Sequence, residues 1–245
     1  MKFSVVIPVL NERECLPATL ESVRAAIPGA QIIAVDGGSN DGSKEWLSQQ
    51  EDVTLLDSVR GKGPQLNAGA RAALGEAIIF LHADSQLPTE AGKQMAAILG
   101  NPALGDPTFS GGAFQVRFAE QRPASLFILA WLMNARMRVL RRCFGDQALF
   151  VRKSAWENSG GYPDWPLFED YEFVRRFKKF GKFGIVNSPV TISARRFIEK
   201  GVWRTVGLVM LLQAGYYLGI SPATLKRWFV DIRPHLEKTS VSSSL

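Results

Sequence analysis

Apolar and polar residues fall in blocks along the first eighty-odd positions, and the period changes from block to block. Phe3 to Val9 (FSVVIPV) is β-branched and nearly all apolar, the pattern of a strand buried on both faces. From Asn11 to Ala26 the apolar residues Cys15, Leu16, Leu20 and Val23 return at helical spacing. Gln31 to Val35 reads as a second buried strand, Gly37 to Gly42 as a loop and Ser43 to Gln50 as a helix. Val53 to Leu56 is a third strand and Gly61-Lys62-Gly63 a loop. Pro64 to Leu74 is a helix with Pro in its first turn, and Ile78 to Leu81 a fourth strand. Such alternation predicts right-handed βαβ units and a parallel sheet, with ligands at the carboxyl ends of the strands.

The second half is less regular. Gly111 to Phe118 (GGAFQVRF) alternates like an exposed-edge or mixed-sheet strand. Pro123 to Leu140 is a long helical pattern, apolar at first (SLFILAWLM) and then basic (ARMRVLRR). Gly145 to Val151 reads as a turn into a strand, Ser154 to Ser159 as a short helix, and Glu169 to Phe180 as a helix ended by Gly181. Phe183 to Ile192 reads as a strand pair interrupted by Pro189. Gly201 to Leu218 and Pro222 to Phe229 follow as apolar helices, and the tail EKTSVSSSL is expected to be disordered.

Three polar clusters fall at strand ends: Asn11-Glu12, Asp36 to Asp41, and His82-Ala83-Asp84. VDGGSNDGS resembles a dinucleotide fingerprint only superficially, because Ser39 stands at the second glycine position and the acid precedes the glycines. Asp36 at a strand end could accept from a base or ribose, but Asp-Gly-Gly is also an ordinary turn. Lys62 between glycines is a charge partner for phosphate or a solvated turn. His82 and Asp84 are two residues apart, so on an extended segment both point to one side and can reach one divalent ion or one phosphate. Asp suits Mg²⁺ or Mn²⁺, and His suits Mn²⁺ better; the alternative is a turn cap and a packed imidazole. Phe168-Glu169-Asp170-Tyr171-Glu172 either complements a helix dipole or holds a carboxylate against apolar walls as a base. Arg195-Arg196 is a surface pair or a phosphate clamp.

Composition narrows this. The chain has 245 residues, 46% hydrophobic and 21% charged, enough for one large domain with a modest extension. Cys15 and Cys143 form no C-x-x-C pair and read as free thiols in a reducing compartment. MKFSVVIPVLNERE lacks the apolar length and cleavage site of a signal peptide. Net charge is +6, and the excess is uneven. Arg117 to Arg142 holds six basic residues against one acid, and Arg195 to Lys238 eight against three. Basic surface beside apolar helix suits an anionic membrane surface or a phosphate-bearing substrate; no nucleic-acid motif accompanies it. The uncharged run Thr205 to Leu218 is shorter than the roughly 18 to 20 residues of a membrane span, so both apolar helices read as packed core or an interfacial layer.

In order and spacing, residues 3 to 197 resemble the family 2 glycosyltransferases. VVIPVLNE is similar to that family's opening strand, VDGGSNDGS to its acidic loop, and GKGPQLNAGA to its G-K-G-x-x-x-N-x-G segment. LHADS stands at the D-x-D position, GDQALFVR at the acceptor-side strand, and GGYPDWPLFEDYEF at the catalytic G-G-F…E-D motif. The resemblance implies a GT-A fold: a Rossmann-like, mostly parallel mixed sheet flanked by helices, with C-terminal apolar helices. It implies a domain over 1–200, a helical extension packed on it over 201–234, and a tail over 235–245. Pro8, Asn11, Glu12, Asp36, Gly38 and Lys62 would bind a nucleotide-sugar donor such as a UDP-sugar. Asp84, with His82, would hold Mn²⁺ or Mg²⁺ on the diphosphate. Asp170 would be the base that deprotonates a hydroxyl acceptor, lipid-linked in one version, with Glu169 beside it. Gly112, Gly145, Asp146 and Gln147 would face the acceptor, and Arg195 and Arg196 would clamp phosphate.

The physics agrees. Inverting transfer is one in-line displacement that needs one base and one cation, and the opposed carboxylate pair of a glycosidase is not evident. Two departures stand out. His82 replaces the first Asp of D-x-D, and the Q-x-x-R-W of processive synthases is absent, with Arg195-Arg196-Phe197 near its place. A single-transfer enzyme is expected, cytoplasmic, with peripheral contact at the inner face of the membrane. Two other classes stay open. A sugar nucleotidyltransferase would want a glycine-rich phosphate loop where Val9-Leu10-Asn11-Glu12 stands, and a membrane-surface scaffold would not need the HAD and FEDYE clusters.

Overall fold

The computed structural model describes residues 1–100, 109–120 and 123–228, without the side chains of Arg196 and Lys200. Phe229 and the tail over 235–245 lie outside the described residues. The chain divides into two compact units, 1–193 and 194–245.

In the first unit, β1 (Phe3–Val9), α1 (Leu16–Ala26), β2 (Gln31–Asp36), α2 (Ser43–Ser48), β3 (Val53–Asp57), α3 (Lys62–Ala72) and β4 (Ala77–Phe80) alternate as the apolar blocks predict. β1 runs parallel to β2 on one side and to β4 on the other, so strand order reverses at β1. In parallel sheets the loops on either side of such a reversal diverge, and the general rule puts the ligand crevice there. Two expectations need correction. Helix α1 begins at Leu16, not Asn11: Asn11 adopts φ 56°, and Glu12 O accepts from the N–H groups of Cys15 and Leu16. Gly61-Lys62-Gly63 is not a free loop, because α3 starts at Lys62.

The remaining elements are β5 (Ser85–Gln86), α4 (Ala91–Leu99), β6 (Phe109–Phe118), α5 (Ser125–Leu140), β7 (Leu149–Arg152), α6 (Lys153–Ser159), α7 (Glu169–Phe177) and β8 (Lys182–Ile192). The eight-stranded sheet has the order β3-β2-β1-β4-β7-β6-β8-β5. β7 is antiparallel to both β4 and β6, and β5 to β8, so the sheet is mixed. β6 lies inside it, not at an edge, because Gly111 and Gly112 let neighbouring backbones close in: a Cβ on Gly111 would strike Phe150 O, and one on Gly112 would strike Gly184 O. β8 is one strand rather than a pair. Its register with β6 jumps from Phe114↔Val186 to Gln115↔Pro189, and this bulge accommodates the proline.

The core joins both halves of the sheet. Val6, Ile33, Val35, Ile78 and Phe80 pack with Leu149, Phe173 and Phe177. Tyr162 stacks on Phe173 at 4.1 Å, with Phe80 edge-on at 5.0 Å from Tyr162. These contacts fix α7 against β4, and with it the acidic first turn of α7.

The second unit contains α8 (Arg195–Lys200), α9 (Val202–Tyr217) and α10 (Pro222–Trp228). α9 packs on α10 through Gly215, where a Cβ would lie 2.7 Å from Leu225 Cδ2. Among the described residues no helix is long and apolar enough to cross a membrane.

Candidate active site

The first wall of the crevice is the pair of loops after β1 and β2, and it is knitted by its own side chains. Asp36, only 2% exposed, accepts from the N–H groups of Gly38 (2.8 Å) and Ser39 (3.0 Å). Gly38 turns the chain at φ 92°. Asn11 Oδ1 accepts from Asn40 N–H at 2.8 Å, and Asn11 N–H donates to Ser39 Oγ at 3.0 Å. Glu12 N–H donates to Ser43 Oγ, and Asp41 accepts from Ser43 and from Arg13 N–H. Despite burial, these bonds hold the Asp41 carboxyl below its ordinary pKa. Gln65 on α3 donates to both Val9 O (2.9 Å) and Val35 O (2.8 Å), tying the ends of β1 and β2 together. Pro8 sits beside Val35 in the β1–β2 register.

The second wall is built from the far half of the chain. Because β7 is antiparallel to β4, with Leu149 opposite Phe80, the turn before β7 lies beside the residues after β4. That turn is Gly145-Asp146-Gln147, a short 3-10 segment. Gly145 is its centre: a Cβ there would lie 2.9 Å from His82 Nε2, 3.0 Å from Asp170 Oδ2 and 3.5 Å from Lys62 Nζ. Glycine leaves room there for three functional side-chain ends, which any larger residue would displace. Gly145 N–H donates to Asp170 Oδ2 at 2.5 Å, and Tyr171 N–H donates to Oδ1 at 3.0 Å. Glu169 and Asp170 are 6% and 5% exposed, and Lys62 Nζ stands 3.8 Å from Glu169 and 3.9 Å from Asp170. Phe168, at φ 64°, makes the turn that presents both acids at the start of α7.

Other predicted residues take different places. Gln147 is fully buried and donates to Met137 Sδ on α5, a structural duty. Gly112 serves sheet packing, with Gly184 and Phe150 closing in on it. Arg195 is exposed at the start of α8 in the second unit, and the side chain of Arg196 lies outside the described residues. Asp146 keeps Oδ1 enclosed without a hydrogen bond. Burial pushes its carboxyl up to about 6, opposed by Arg136 and Lys62 and reinforced by Asp170 and Asp84.

Three participants were missed from sequence. Arg136 of α5 lies over the Phe144 ring at 4.3 Å, with Nε and Nη2 enclosed and unbonded. Tyr162 buries a hydroxyl with no partner, and burial together with Asp170 raises its pKa. Asn67 clamps the turn before α7, donating to Tyr162 O at 2.8 Å and accepting from Tyr162 N–H at 2.9 Å. Only Asn67 carried a signal, as the Asn of GKGPQLNAGA.

A resident metal cage is not formed, since no group of three or more His, Cys, Asp or Glu side chains converges among the described residues. The donors present suit a shared ion. Asp84 is partly buried just beyond β4, and its turn is pinned by Thr19 Oγ1 donating to Ala83 O at 2.7 Å. One carboxylate plus substrate phosphates and water is how Mg²⁺ is usually held at phosphate sites.

A mixed, mostly parallel sheet, a loop-lined crevice at its switch point and one buried acid cluster beside a cation define a GT-A-type α/β protein. Residues 4–157 match the family described as Glycosyl transferase family 2, and the chain belongs to that family. Among its relatives is the undecaprenyl-phosphate 4-deoxy-4-formamido-L-arabinose transferase of Pectobacterium atrosepticum. It is 40% identical over 98 residues, which are 36% of this chain and 30% of that protein. The Serratia proteamaculans protein of that name is 39% identical over 100 residues, 36% of this chain and 31% of its own. The matched stretch therefore spans under a third of these relatives. Similar solved structures include S. aureus TarS 1-349 in complex with UDP-GlcNAc, with a TM-score of 0.60 and 19% identity over 79% of this chain and 58% of that one. The Pyrobaculum calidifontis mannosyltransferase PcManGT, in complex with GDP-Man and Mn²⁺, has a TM-score of 0.60 and 20% identity over 86% of this chain and 62% of that one. At these identities the likeness establishes the fold, GT-A.

Proposed function

We propose that the protein is an inverting glycosyltransferase that moves a sugar from a nucleotide-diphosphate donor, a UDP-sugar, to a hydroxyl acceptor. The observation that carries this reading is the Asp170 carboxylate, buried, aimed by Gly145 and Tyr171 N–H groups and faced by Lys62. In that role Asp170 takes the proton of the acceptor hydroxyl as its oxygen attacks the anomeric carbon from the side opposite the diphosphate. Glu169 and Lys62 hold the charge around that carboxylate, and the loop shaped by Asn11, Asp36 and Gly38 receives the nucleotide. Asp84, with His82 beside it, would hold a divalent ion, which when bound neutralises charge on the departing diphosphate. We place transfer in residues 1–200, with 201–234 as a helical extension.

The names of the Pectobacterium and Serratia relatives favour a second version, in which the acceptor is a polyprenyl phosphate. A phosphate monoester is already anionic near neutral pH, so Asp170 would then position the acceptor rather than take its proton. The experiment is transfer of labelled sugar from UDP-sugars, with and without Mn²⁺, to free alcohols and to polyprenyl phosphate. Label on the alcohol supports the first version and label on the phosphate the second. If no nucleotide diphosphate raised Tm and no label moved, glycosyl transfer would be the wrong reading.

A further inference from the structure

Helix α5 carries two apolar faces. Leu126, Leu129, Met133 and Met137 are buried. Asn134 ties the helix to β6, accepting from Val116 N–H at 2.8 Å and donating to Val116 O at 3.0 Å. At about 100° per residue, Phe127, Ile128, Trp131, Leu132 and Val139 fall on the opposite side, and all five are exposed, Trp131 by 66%. A surface helix ordinarily turns polar residues to water on that side. Phe127, Ile128, Trp131 and Leu132 on two successive turns, with Val139 two turns further on, form the kind of patch that marks a binding surface.

The C-terminal end of the same helix is basic. Arg138 and Arg141 are exposed, and Lys178 Nζ donates to Arg141 O at 2.9 Å. Arg141, Lys178 and Lys182 border one open concavity, with no acid among its described lining residues. Burial and the charges of Arg142 and Arg141 hold the Lys178 ammonium below its ordinary pKa, with Cys143 opposing. Cations so crowded favour an anionic partner.

Apolar stripe, exposed tryptophan and basic end together match a helix lying in a lipid interface. A second copy of this chain would bring the same positive end and the same net charge of +6. We infer that α5 seats the protein on the headgroup layer of an anionic bilayer. Phe127, Ile128, Trp131, Leu132 and Val139 enter the interface, and Arg138, Arg141, Lys178 and Lys182 hold lipid phosphates. The docking stands apart from sugar transfer, but it has a consequence for it. Arg136 stacks on Phe144 and Met137 accepts from Gln147, so α5 is joined to the turn whose Gly145 holds Asp170. Seating α5 therefore couples the membrane contact mechanically to the turn that holds Asp170.

The test is flotation of the full chain with vesicles of phosphatidylcholine containing a third phosphatidylglycerol, without nucleotide. Binding is expected, and about tenfold weaker binding to pure phosphatidylcholine. Trp131→Glu with Leu132→Glu is expected to lower affinity about tenfold or more while the thermal melt stays, because the buried face is untouched. Arg138→Glu with Lys182→Glu should weaken binding and flatten its salt dependence. The inference fails if the wild type does not float with the anionic vesicles, or if the Trp131→Glu, Leu132→Glu variant floats equally well. It fails also if Met210→Glu on α9 abolishes binding while the α5 variant is silent, or if the α5 variant instead dissolves a dimer of the chain.

Discussion

The two walls of the crevice differ in how most of their polar groups are used. In the wall after β1 and β2, Asp36, Asn11, Asp41 and Gln65 spend their oxygens and amides on nearby backbone. In the wall around Gly145, Asp146 Oδ1, Arg136 Nε and Nη2 and the Tyr162 hydroxyl are enclosed with no hydrogen bond. Burying such groups without partners is costly, on the order of 1–3 kcal/mol each. A fold tolerates that cost where strain and desolvation serve chemistry; under the proposed function the satisfied wall would be a shaped receptor and the unsatisfied wall the place of reaction.

Substitutions should separate the walls. The largest effect is expected from Asp170→Asn, which removes the base: transfer should fall about a thousandfold, and because an amide cannot accept from both the Gly145 and Tyr171 N–H groups, Tm should drop by a few degrees. Steady-state assay beside a thermal melt checks it. Next, Gly145→Ala forces a methyl group to within 2.9 Å of His82 Nε2 and 3.0 Å of Asp170 Oδ2. A shift of that size should cost about a hundredfold in kcat with little change in nucleotide affinity.

Asp146→Asn tests the unsatisfied wall by pH. The folded-state pKa is raised to about 6, so the native state keeps this proton where the unfolded chain has lost it. The contribution is fully present below about pH 4, falls as pH rises through about 6 and is flat above. The Asn variant, which cannot ionise, should therefore gain about 2 kcal/mol relative to wild type between pH 4 and pH 7. Urea unfolding at the two pH values reads it, and parallel curves would show that Asp146 is already satisfied. The smallest effect is expected from Asp36→Ala. It strands the Gly38 and Ser39 N–H groups on a surface loop, so donor KM should rise about tenfold and stability drop about 1 kcal/mol while kcat holds.

The satisfied wall was also the legible one. VVIPV, QIIAV and AIIF are buried on both faces, so their apolar runs expose parallel strands, and their polar ends mark the crevice without further help. The unsatisfied wall depends on pairings far apart in sequence. Gly145 meets His82 because β7 turns back along β4, and nothing local to GDQALFV announces that partner. β6 was legible only in part for the same reason: of the two readings, exposed edge or mixed sheet, the mixed sheet holds. Its alternation suggests an exposed face, yet Gln115 is buried by a bond to Asn187, which lies in the β8 bulge. Arg136 and Tyr162 were hidden because a helical arginine and a core tyrosine look ordinary until their neighbours are known.

The most direct measurement is nucleotide affinity alongside single-turnover transfer for Asp170→Asn and Asp36→Ala, done on the same preparations. The account predicts a crossed result: Asp170→Asn binds the UDP-sugar as wild type does and does not transfer it, whereas Asp36→Ala binds it weakly and, once saturated, transfers at the wild-type rate. Transfer at the wild-type rate by Asp170→Asn, or unchanged binding by Asp36→Ala, would contradict the division of the crevice into a receptor wall and a reactive wall.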